Sequence, residues 1–329
     1  MKTVYFDSGT SNSRIYLLAG NNVLYRDKAA VGSRDSALAG DREVLVSALY
    51  KMYSDLLADN DLKDNSIDSI WMSGMISCPS GLKEVEHLTT PTGKMELAKA
   101  IEPYFEPVHF KREICLVPGL KTIGRRQKAD LATVPEINNV RGEEVEAFGV
   151  LSAYPDLQKG CSVIVFPGSH TQVLIVSDGV ISDIISNVTG ELYAAILKNS
   201  IIGSSVRGGD EKGVIPKYVR FGARNVYEYG FNRALYIVRS MELFADTEPR
   251  QRYSALEGVI NADVLKGIHR LVGDKKTKIV VAGNEEQYRI YAAIAEIYPN
   301  YEVVVALPGD DKPFSVRGVM ELLRTVHHC

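Results

Sequence analysis

The stretch Lys2–Arg14, KTVYFDSGTSNSR, places an apolar strand directly before an aspartate and a run of small, turn-forming residues. A tight turn needs only a pair such as Asn-Gly. Here Gly9 lets the backbone approach a ligand closely, and successive N–H groups can form a nest for an anion. Asp7, at the strand end, suits Mg²⁺, a hard cation that keeps part of its water shell. The loop is therefore expected to hold an anion with a metal attached; a plain hairpin turn is the alternative reading.

A second copy of this pattern lies half a chain away. Without gaps, Val4–Gly20 (VYFDSGTSNSRIYLLAG) aligns with Val163–Gly179 (VIVFPGSHTQVLIVSDG), 159 residues further on. Each copy reads as an apolar strand, a small polar turn, a second strand and then a third. Because the offset is close to half the chain, we interpret the copies as duplicated domains, although two unrelated hairpins would give a similar pattern. Phe166 stands in place of Asp7, so only the first copy can supply the carboxylate.

The rest of the chain alternates between helix and strand patterns. Apolar periodicity predicts helices at Glu43–Asn60, Lys94–Phe105, Glu143–Tyr154, Glu191–Ile202, Tyr227–Phe244, Leu256–Leu271, Glu285–Tyr298 and Phe314–His327. Buried strands are predicted at Ile67–Ile76, Glu113–Val117, Lys278–Ala282 and Tyr301–Leu307. Such alternation favours mainly parallel sheets, with the meanders as antiparallel additions. A chain of 329 residues is too long for one ordinary core, and the segment Tyr154–Gly160 predicts domains 1–158 and 159–329.

Composition and charge exclude several classes of function. The formal net charge is −3 and no Lys/Arg-rich run stands out, which argues against nucleic-acid binding. No apolar run approaches the roughly 20 residues that span a bilayer, and the N-terminus has no apolar signal core. The widely spaced cysteines are expected to be reduced thiols: Cys78, Cys115, Cys161 and Cys329. We therefore expect a cytoplasmic protein; whether it forms a homodimer is left open.

Seven short blocks follow one another along the chain. They are DSGTSNSR (Asp7–Arg14), SGM (Ser73–Met75), GLKEVEHLTTP (Gly81–Pro91), VPGL (Val117–Leu120), RGEE (Arg141–Glu144), FPGSHTQ (Phe166–Gln172) and TGELYAAILKNSIIG (Thr189–Gly203). In this order they resemble the 2-dehydro-3-deoxygalactonokinase family of the actin/hexokinase/Hsp70 superfamily. The resemblance implies an α/β fold of two actin-like (ribonuclease H-like) domains. Each would have a five-stranded mixed sheet flanked by helices, with the active site in the cleft between them.

The same resemblance implies a reaction and a cofactor. The expected activity is ATP-dependent transfer of the γ-phosphoryl group to O6 of 2-dehydro-3-deoxy-D-galactonate, or to a hydroxyl of a related sugar acid or sugar, with Mg²⁺ bound to ATP. Asp7 would hold the metal, and the ATP phosphates would lie against two turns: Ser8, Gly9, Thr10, Ser11 and Asn12 in the first, and Gly168, Ser169, His170 and Thr171 in the second. An ordinary polar turn remains the alternative for the second. Gly283, between a strand and a helix, would lie on the adenosine side.

The RGEE block supplies the candidate catalytic carboxylates. Sugar kinases of the superfamily place a carboxylate here, so the resemblance implies Glu143 as the base that takes the acceptor's proton, with Glu144 as the alternative. Acidic residues also favour the positive end of a helix dipole without any catalytic role. Arg14 could neutralise the transferring phosphoryl group or the acceptor's carboxylate. The candidate acceptor-site residues are Ser73, Gly74, Met75 and Glu84.

Departures from the family's usual pattern fall in both pockets. Leu82 and His87 stand where its substrate loop has Trp and Tyr, Gln172 stands where a Lys is common, and Asn284 interrupts the usual GTS of the adenosine loop. They predict weaker use of the galactonate derivative or a preference for a related acceptor. Two other functions share the motifs: an exopolyphosphatase-like phosphohydrolase, which the net charge of −3 disfavours, and a non-catalytic nucleotide-binding protein.

Overall fold

The computed structural model describes residues 1–122, 129–308 and 312–327. By their contacts these residues group into two compact units. The first comprises Met1–Asp156, Gly179–Asp183 and the segment from Pro308 onward, and the second comprises Leu157–Asp178 and Ile184–Leu307. The predicted ranges 1–158 and 159–329 differ from this division chiefly because the C-terminal segment packs with the first unit.

The elements of the N-terminal half are, in chain order, β1 (Lys2–Ser8), β2 (Ser13–Ala19), β3 (Asn22–Ala29), α1 (Ser33–Ala39), α2 (Glu43–Asp59), β4 (Ser69–Gly74), β5 (Leu88–Thr89), α3 (Lys94–Lys99), β6 (Glu102–Glu106), β7 (Arg112–Leu116), β8 (Leu120–Lys121), β9 (Asn139–Val140) and α4 (Glu143–Ala153). The C-terminal half continues with β10 (Cys161–Phe166), β11 (His170–Ser177), β12 (Val180–Val188), α5 (Gly190–Asn199), α6 (Ile201–Val206), α7 (Pro216–Tyr229), α8 (Phe231–Phe244), α9 (Pro249–Val272), β13 (Thr277–Ala282), α10 (Glu285–Ala295), β14 (Tyr301–Ala306) and α11 (Phe314–His327).

The main sheet of the first unit has the order β3-β2-β1-β4-β7-β6 within the described part of the chain. The predicted meander β1–β3 is antiparallel, while β4 runs parallel to β1 and β7 parallel to β4. The edge strand β6 corrects the sequence prediction, which extended helix α3 to Phe105 and gave this sheet five strands. The helix ends at Lys99, because Pro103 cannot donate a helical hydrogen bond and is tolerated on an edge strand.

The sheet of the second unit has the expected five strands over the described residues, in the order β12-β11-β10-β13-β14. It joins an antiparallel meander to the parallel strands β13 and β14, so the sequence repeat is also a repeat in the fold. The register corrects the ungapped alignment, which set Arg14 over Val173. Asp7 faces Arg14 across β1 and β2, whereas Phe166 faces Gln172 across β10 and β11. The second turn is thus one residue shorter, and Gln172 holds the place of Arg14.

Two helices of the second unit differ from the prediction. The helix predicted at Tyr227–Phe244 is two helices, because Gly230 adopts a φ of 83° and ends α7. Helix α7 itself was missed, although its buried Val219, Ala223 and Val226 follow helical spacing. Helix α1 was missed for a different reason, since its sequence SRDSALA carries almost no apolar stripe.

The C-terminal helix α11 packs closely against α4 inside the first unit. A Cβ on Gly149 would lie 1.9 Å from the carbonyl oxygen of Phe314, and one on Gly318 would lie 1.8 Å from that of Val145. Only glycine at these two positions lets the helix backbones touch. The contact brings the start of α11 to β1, where it reaches the site described below.

Each unit has its own apolar core. In the first, Val4, Phe6 and Ile15 pack with the buried face of α2; in the second, the residues of β10 and β13 pack against α7 and α9. Cys78, Cys115 and Cys161 are free thiols, and Cys329 lies outside the described residues. Among the residues that the structure describes, each helix is too short or too polar to span a bilayer.

Candidate active site

The first turn, Gly9–Asn12, is closed by its own backbone and anchored on α1. The Gly9 N–H donates to the carbonyl of Asn12 at 2.8 Å. The first N–H groups of α1, which have no partner inside the helix, donate to the carbonyls of Gly9 and Thr10 at 3.2 and 3.0 Å. Thr10, Ser11 and Asn12 are exposed. The turn is therefore a fixed loop with its tip open to a ligand.

Ser8 differs from the rest of the predicted phosphate-binding residues. Its side chain is fully buried, and its hydroxyl bonds to that of Ser13 at 2.9 Å, which in turn donates to the carbonyl of Val31. The hydroxyl of Ser8 is thus used inside the unit. The predicted contact of Ser8 with phosphate would therefore have to come from its backbone.

Asp7 is the charged group at the base of the turn. Burial raises the pKa of its carboxyl, while Arg14 and a hydrogen bond from the Ser315 hydroxyl oppose this rise. The Arg14 Nη1 lies 3.3 Å from Asp7 Oδ2, and 51% of the Arg14 side chain is exposed. Arg14 can therefore contact a ligand while still facing Asp7. Ser315, at the start of α11, was not predicted from the sequence.

The end of β4 lies beside Asp7, since the parallel register sets Asp7 opposite Ser73 and Ser8 opposite Gly74. The Ser73 hydroxyl is buried and bonds to the Tyr5 hydroxyl at 2.7 Å, so its predicted role in acceptor binding is not supported. Gly74 has a φ of 82°, and a Cβ there would lie 2.4 Å from the Ser8 carbonyl oxygen. Of the remaining acceptor-site candidates, Met75 is half-buried and Glu84 is exposed.

Helix α4 begins against this strand end, because a Cβ on Gly142 would lie 3.4 Å from the Cα of Gly74. Glu143 is half-buried, and its Oε2 accepts the Arg141 N–H at 3.2 Å. Glu144 is fully buried, and both of its oxygens accept the Gly142 N–H, at 2.9 and 2.8 Å. Burial and the neighbouring Glu143 raise the pKa of Glu144 to about 8. Glu144 therefore fixes the helix start, and its alternative role as the base is not supported.

Glu146 is a site residue that the motifs missed. Burial, and then the charges of Asp7 and Glu143, raise the pKa of Glu146 to about 8, with Arg14 acting in the opposite direction. Asp7, Glu143 and Glu146 therefore form one electrostatically coupled group. The available signal was the i, i+3 spacing of Glu143 and Glu146, which places both on one face of a helix.

Arg141 joins the helix start to the predicted substrate loop. Its guanidinium donates to the Ser77 hydroxyl at 2.7 Å and to the Val85 carbonyl at 2.8 Å, and it lies 3.2 Å from His87 Nδ1. Burial, Arg141 and Lys121 lower the pKa of His87 to about 4, so this imidazole is neutral. Arg141 is therefore a positioning residue for the loop that contains Leu82 and His87.

The second turn lies in the other unit. Gly168, Ser169 and His170 are exposed, and the turn is fixed to the start of α5 by the Glu191 N–H, which donates to the Ser169 carbonyl at 3.0 Å. His170 Nε2 lies 3.1 Å from Glu191 Oε2. Thr171 is buried, with its hydroxyl 2.7 Å from that of Thr189, so this hydroxyl is not free to bind phosphate as predicted.

The predicted adenosine side has a cavity next to it. Gly283 follows β13, and the next residue, Asn284, caps α10 by accepting the Gln287 N–H at 2.9 Å. Asn284 and Gln287 line a cavity of about 210 Å³ that also reaches Gly168 and Tyr253. Inside the second unit, the structure therefore brings the second turn and the adenosine loop to one cavity, whereas Asp7, Arg14 and Glu143 come together in the first unit.

The fold and these two turns define an actin-like α/β protein with a carboxylate group at the end of its first strand. The model of the 2-keto-3-deoxy-galactonokinase family matches residues 7–308. The chain belongs to that family.

Two known proteins are similar to this chain. "Probable 2-dehydro-3-deoxygalactonokinase DgoK1" of Rhizobium meliloti (strain 1021) is 26% identical over 205 residues, which are 62% of this chain and 59% of that protein. The match thus spans less than two thirds of the relative's length. A crystal structure from Sinorhizobium meliloti, provisionally named a 2-dehydro-3-deoxygalactonokinase, is similar with a TM-score of 0.76 and 20% identity, over 99% of this chain and 98% of that one. At this identity, the structural match establishes the fold.

Proposed function

We propose that this protein is a carbohydrate kinase that transfers the γ-phosphoryl group of Mg-ATP to a hydroxyl of 2-dehydro-3-deoxy-D-galactonate or a related sugar acid. The observation that carries the proposal is the coupled group of Asp7, Glu143 and Glu146, with Asp7 at the base of the first turn, whose tip is exposed. Family membership and the names of the relatives support the same chemistry.

The acidic group suits a divalent cation. Burial raises the pKa of both Asp7 and Glu146, the charge of Asp7 adds to the rise at Glu146, and Arg14 opposes the rise at both. Nearby positive charge would therefore be favourable. Within the described ranges, no set of three or more His, Cys, Asp or Glu side chains could hold a metal by itself. Mg²⁺ in kinases takes one or two carboxylates and completes its shell with phosphate oxygens and water, so Asp7 would hold it together with ATP.

Bound Mg²⁺ would neutralise charge on the transferring phosphoryl group. Glu143 would orient the acceptor hydroxyl and take its proton, since it is half-buried at the helix start and next to the acidic group. Arg14, half-exposed beside Asp7, would meet the phosphoryl oxygens. In the second unit, the exposed backbone of Gly168–His170 would contact phosphate. Mainly by positioning and charge, these residues would promote phosphoryl transfer.

The acceptor pocket is the part of the proposal in which this chain departs most from its family's pattern. Leu82 is 7% exposed and has no aromatic ring, and His87 is neutral, so neither provides the positive charge that a sugar acid could use. We therefore infer weak binding of 2-dehydro-3-deoxy-galactonate, or a preference for a related acid. A cytoplasmic location is part of the proposal, because the free thiols Cys78, Cys115 and Cys161 suit a reducing compartment.

The first test is an ADP-release assay with the full chain, Mg-ATP and one acceptor at a time. Acceptors would be 2-dehydro-3-deoxy-galactonate, other sugar acids, neutral sugars, polyphosphate and water alone. We expect ADP release that depends on a sugar acid, and a phosphorylated acid as the product. Turnover with water or polyphosphate alone would replace the kinase by a phosphohydrolase, and ATP binding without any turnover would replace it by a nucleotide-binding protein.

The second test separates the carboxylates of α4. Glu143→Gln should lower turnover by about 10²- to 10⁴-fold, as loss of a positioned base does, while ATP binding measured by calorimetry persists. The matched control is Asp156→Asn, which changes an exposed carboxylate outside the site. If Glu143→Gln is nearly as active as the wild type and Glu146→Gln is not, the base is Glu146. If Glu143→Gln and Glu146→Gln both retain activity, the base is Glu144 or lies outside this helix.

A further inference from the structure

The cavity of the second unit is built for one part of a nucleotide. Its volume of about 210 Å³ is below the roughly 300–1,000 Å³ of pockets that take a whole drug-sized ligand. One end is lined by Gly168 and Gly190, and the other by Tyr193, Tyr253 and Glu257. If the turn end takes phosphate, as proposed above, the other end has room for the nucleoside.

A chain of hydrogen bonds connects these two ends inside the protein. Asn261 Nδ2 lies 3.0 Å from the Glu257 carbonyl and 3.1 Å from Glu257 Oε2, so this atom is the donor and its Oδ1 must accept. Tyr291 therefore donates to Asn261 Oδ1, at 2.9 Å. Since the Tyr291 proton is used, Tyr291 accepts from Thr171 at 3.3 Å, and Thr171 accepts from Thr189 at 2.7 Å.

The donor-to-acceptor direction of these hydrogen bonds fixes the orientation of each side chain in the series. The series starts at Thr189 and Thr171, beside the second turn, and ends on the carboxylate of Glu257. All its hydroxyls are buried, and a buried polar network of this kind holds its members rigidly. The Tyr253 hydroxyl also bonds to Glu257. A carboxylate can accept about four hydrogen bonds, so Asn261 and Tyr253 leave Glu257 with capacity for a ligand.

The charges of the cavity limit what can bind. Glu286 also lines it, with one oxygen accepting the Val214 N–H at 2.6 Å. Burial, and then Glu286, raise the pKa of Glu257 to about 7. A second negative charge at this end would add to that repulsion, whereas a neutral hydrogen-bond donor would relieve it. The ligand end that fits is therefore uncharged and rich in donors, as a nucleoside is.

We infer that Glu257 selects the nucleoside of the bound nucleotide by accepting a hydrogen bond from a neutral donor on it, either a ribose hydroxyl or the amino group of adenine. Asn261 and Tyr291 are positioning residues that hold the Glu257 carboxylate for this contact. The inference rests on the proposed function, because it takes the nucleotide as given and assigns the residue that reads it.

The experiment is calorimetric binding of ATP and three analogues with Mg²⁺. The analogues are 2′-deoxy-ATP, 3′-deoxy-ATP and purine riboside triphosphate, which lack one ribose hydroxyl, the other, and the amino group. The wild type should bind one of them about ten- to a hundredfold more weakly than ATP, the effect of losing a hydrogen bond to a charged group. That analogue identifies the donor. Glu257→Met keeps the length of the side chain and removes the acceptor. It should therefore weaken ATP binding by a similar factor, and ATP and that analogue should then bind with equal affinity.

Three further variants make the result specific. Glu257→Gln retains a carbonyl oxygen, so it should reduce the difference in affinity between ATP and that analogue without abolishing it. Tyr291→Phe removes only the hydroxyl that orients Asn261, and it should also reduce the difference in affinity between ATP and that analogue. If ATP and the analogue instead bind more weakly by the same factor, Tyr291 has only a structural role. Glu285→Gln is the matched control, because Glu285 is an exposed carboxylate of the same region that pairs with Arg289, and it should bind like the wild type.

Two results would overturn the inference, and they are distinguishable from failure of the proposed function. Equal binding of ATP and all three analogues by the wild type would exclude a donor read by Glu257, while leaving a kinase intact. If Glu257→Met still binds that analogue more weakly than ATP by the same factor as the wild type, another residue makes the contact. Failure of the wild type to bind ATP at all would instead remove the proposed function, and the inference with it.

Discussion

The two turns that follow the first strand of each unit's main sheet share a backbone plan and differ in charge. In the first, Asp7 and Arg14 face each other; in the second, the same register position holds Phe166 and Gln172. Among the residues that the structure describes, nothing bonds to the buried Oε1 of Gln172. The duplicated strands thus keep the scaffold, while the cross-strand pair is charged only in the first turn, where the proposed metal would bind.

Unlike the charged pair, one hydroxyl has the same structural role in both turns. The register places Ser13 opposite Ser8, and Thr171 occupies the matching position in the second hairpin. Ser13 bonds to Val31 and Ser8, and Thr171 bonds to Thr189 and Tyr291. In each unit this hydroxyl ties the turn to the interior. A motif rich in Ser and Thr therefore contains residues that fix the loop as well as residues that face the ligand.

The largest expected effect comes from removing the carboxylate that only the first turn has. Asp7→Asn should lower turnover at saturating Mg-ATP by about a hundred- to a thousandfold, because the charge that holds the metal is lost. Stability should stay the same or rise, since burial makes the ionised form of Asp7 costly and raises its pKa. Turnover and urea unfolding would be measured together, with the single tryptophan, Trp71 in β4, reporting on the first unit. Normal turnover would place the metal elsewhere.

Arg14→Gln makes the charge of the first turn resemble that of the second. Loss of a charged hydrogen bond to the phosphoryl group costs about 1.5–3 kcal/mol, so kcat/KM for ATP should fall by roughly ten- to a hundredfold. The drop should shrink at high Mg²⁺ if the metal can supply the missing charge. An unchanged kcat/KM would make Arg14 a solvent-exposed partner of Asp7 and no more.

The start of helix α4, in the RGEE motif, provides a test by the pH dependence of stability. Glu144 is buried, with its pKa raised from 4.5 to about 8, so the protonated form is favoured by folding. The stability that the protonated Glu144 adds to the folded protein is fully present below about pH 4.5 and is lost as the pH rises to about 8. Between about pH 5 and pH 9, the free energy of unfolding of Glu144→Gln should therefore gain about 4 kcal/mol relative to the wild type.

The matched control for that measurement is Glu285→Gln, at the start of α10, where the carboxylate is exposed and pairs with Arg289. It measures how much of any difference comes from removing a carboxylate at a helix start. Groups common to both proteins cancel in the comparison. A Glu144→Gln difference that stays constant from about pH 5 to pH 9 would mean that Glu144 is ionised in the folded protein throughout this range.

The smallest effect is expected at Gln172. Because its buried Oε1 has no hydrogen-bond partner in the described part of the chain, Gln172→Met should leave the free energy of unfolding unchanged or raise it by about 1 kcal/mol. Thermal unfolding measures this directly. A marked loss of ATP or acceptor binding in this variant would show that a ligand is the partner of the amide, and that the second turn takes part in recognition after all.

Sequence reasoning located the elements whose signal is local. The strands of both meanders and the position of Asp7 follow from periodicity and from the order of residues at one strand end. The directions of Ser8, Ser73 and Thr171 did not, because a motif names a hydroxyl and not the face of the strand on which it lies. Ser315 could not be found from the motifs, since it meets Asp7 from the far end of the chain. Glu146 was within reach, by continuing one helical turn past RGEE.

The packing of α11 on α4 bears on how the protein is synthesised. Synthesis runs from the N-terminus, and domains generally begin to fold as they emerge. The second unit, which ends at Leu307, is therefore available before the first is complete. Until α11 has left the ribosome, Gly149 on α4 has no helix against it and Asp7 lacks the hydroxyl of Ser315. A nascent chain without α11 would thus carry a complete second unit and an incomplete first unit, so that the proposed phosphoryl transfer could begin only after α11 had been synthesised.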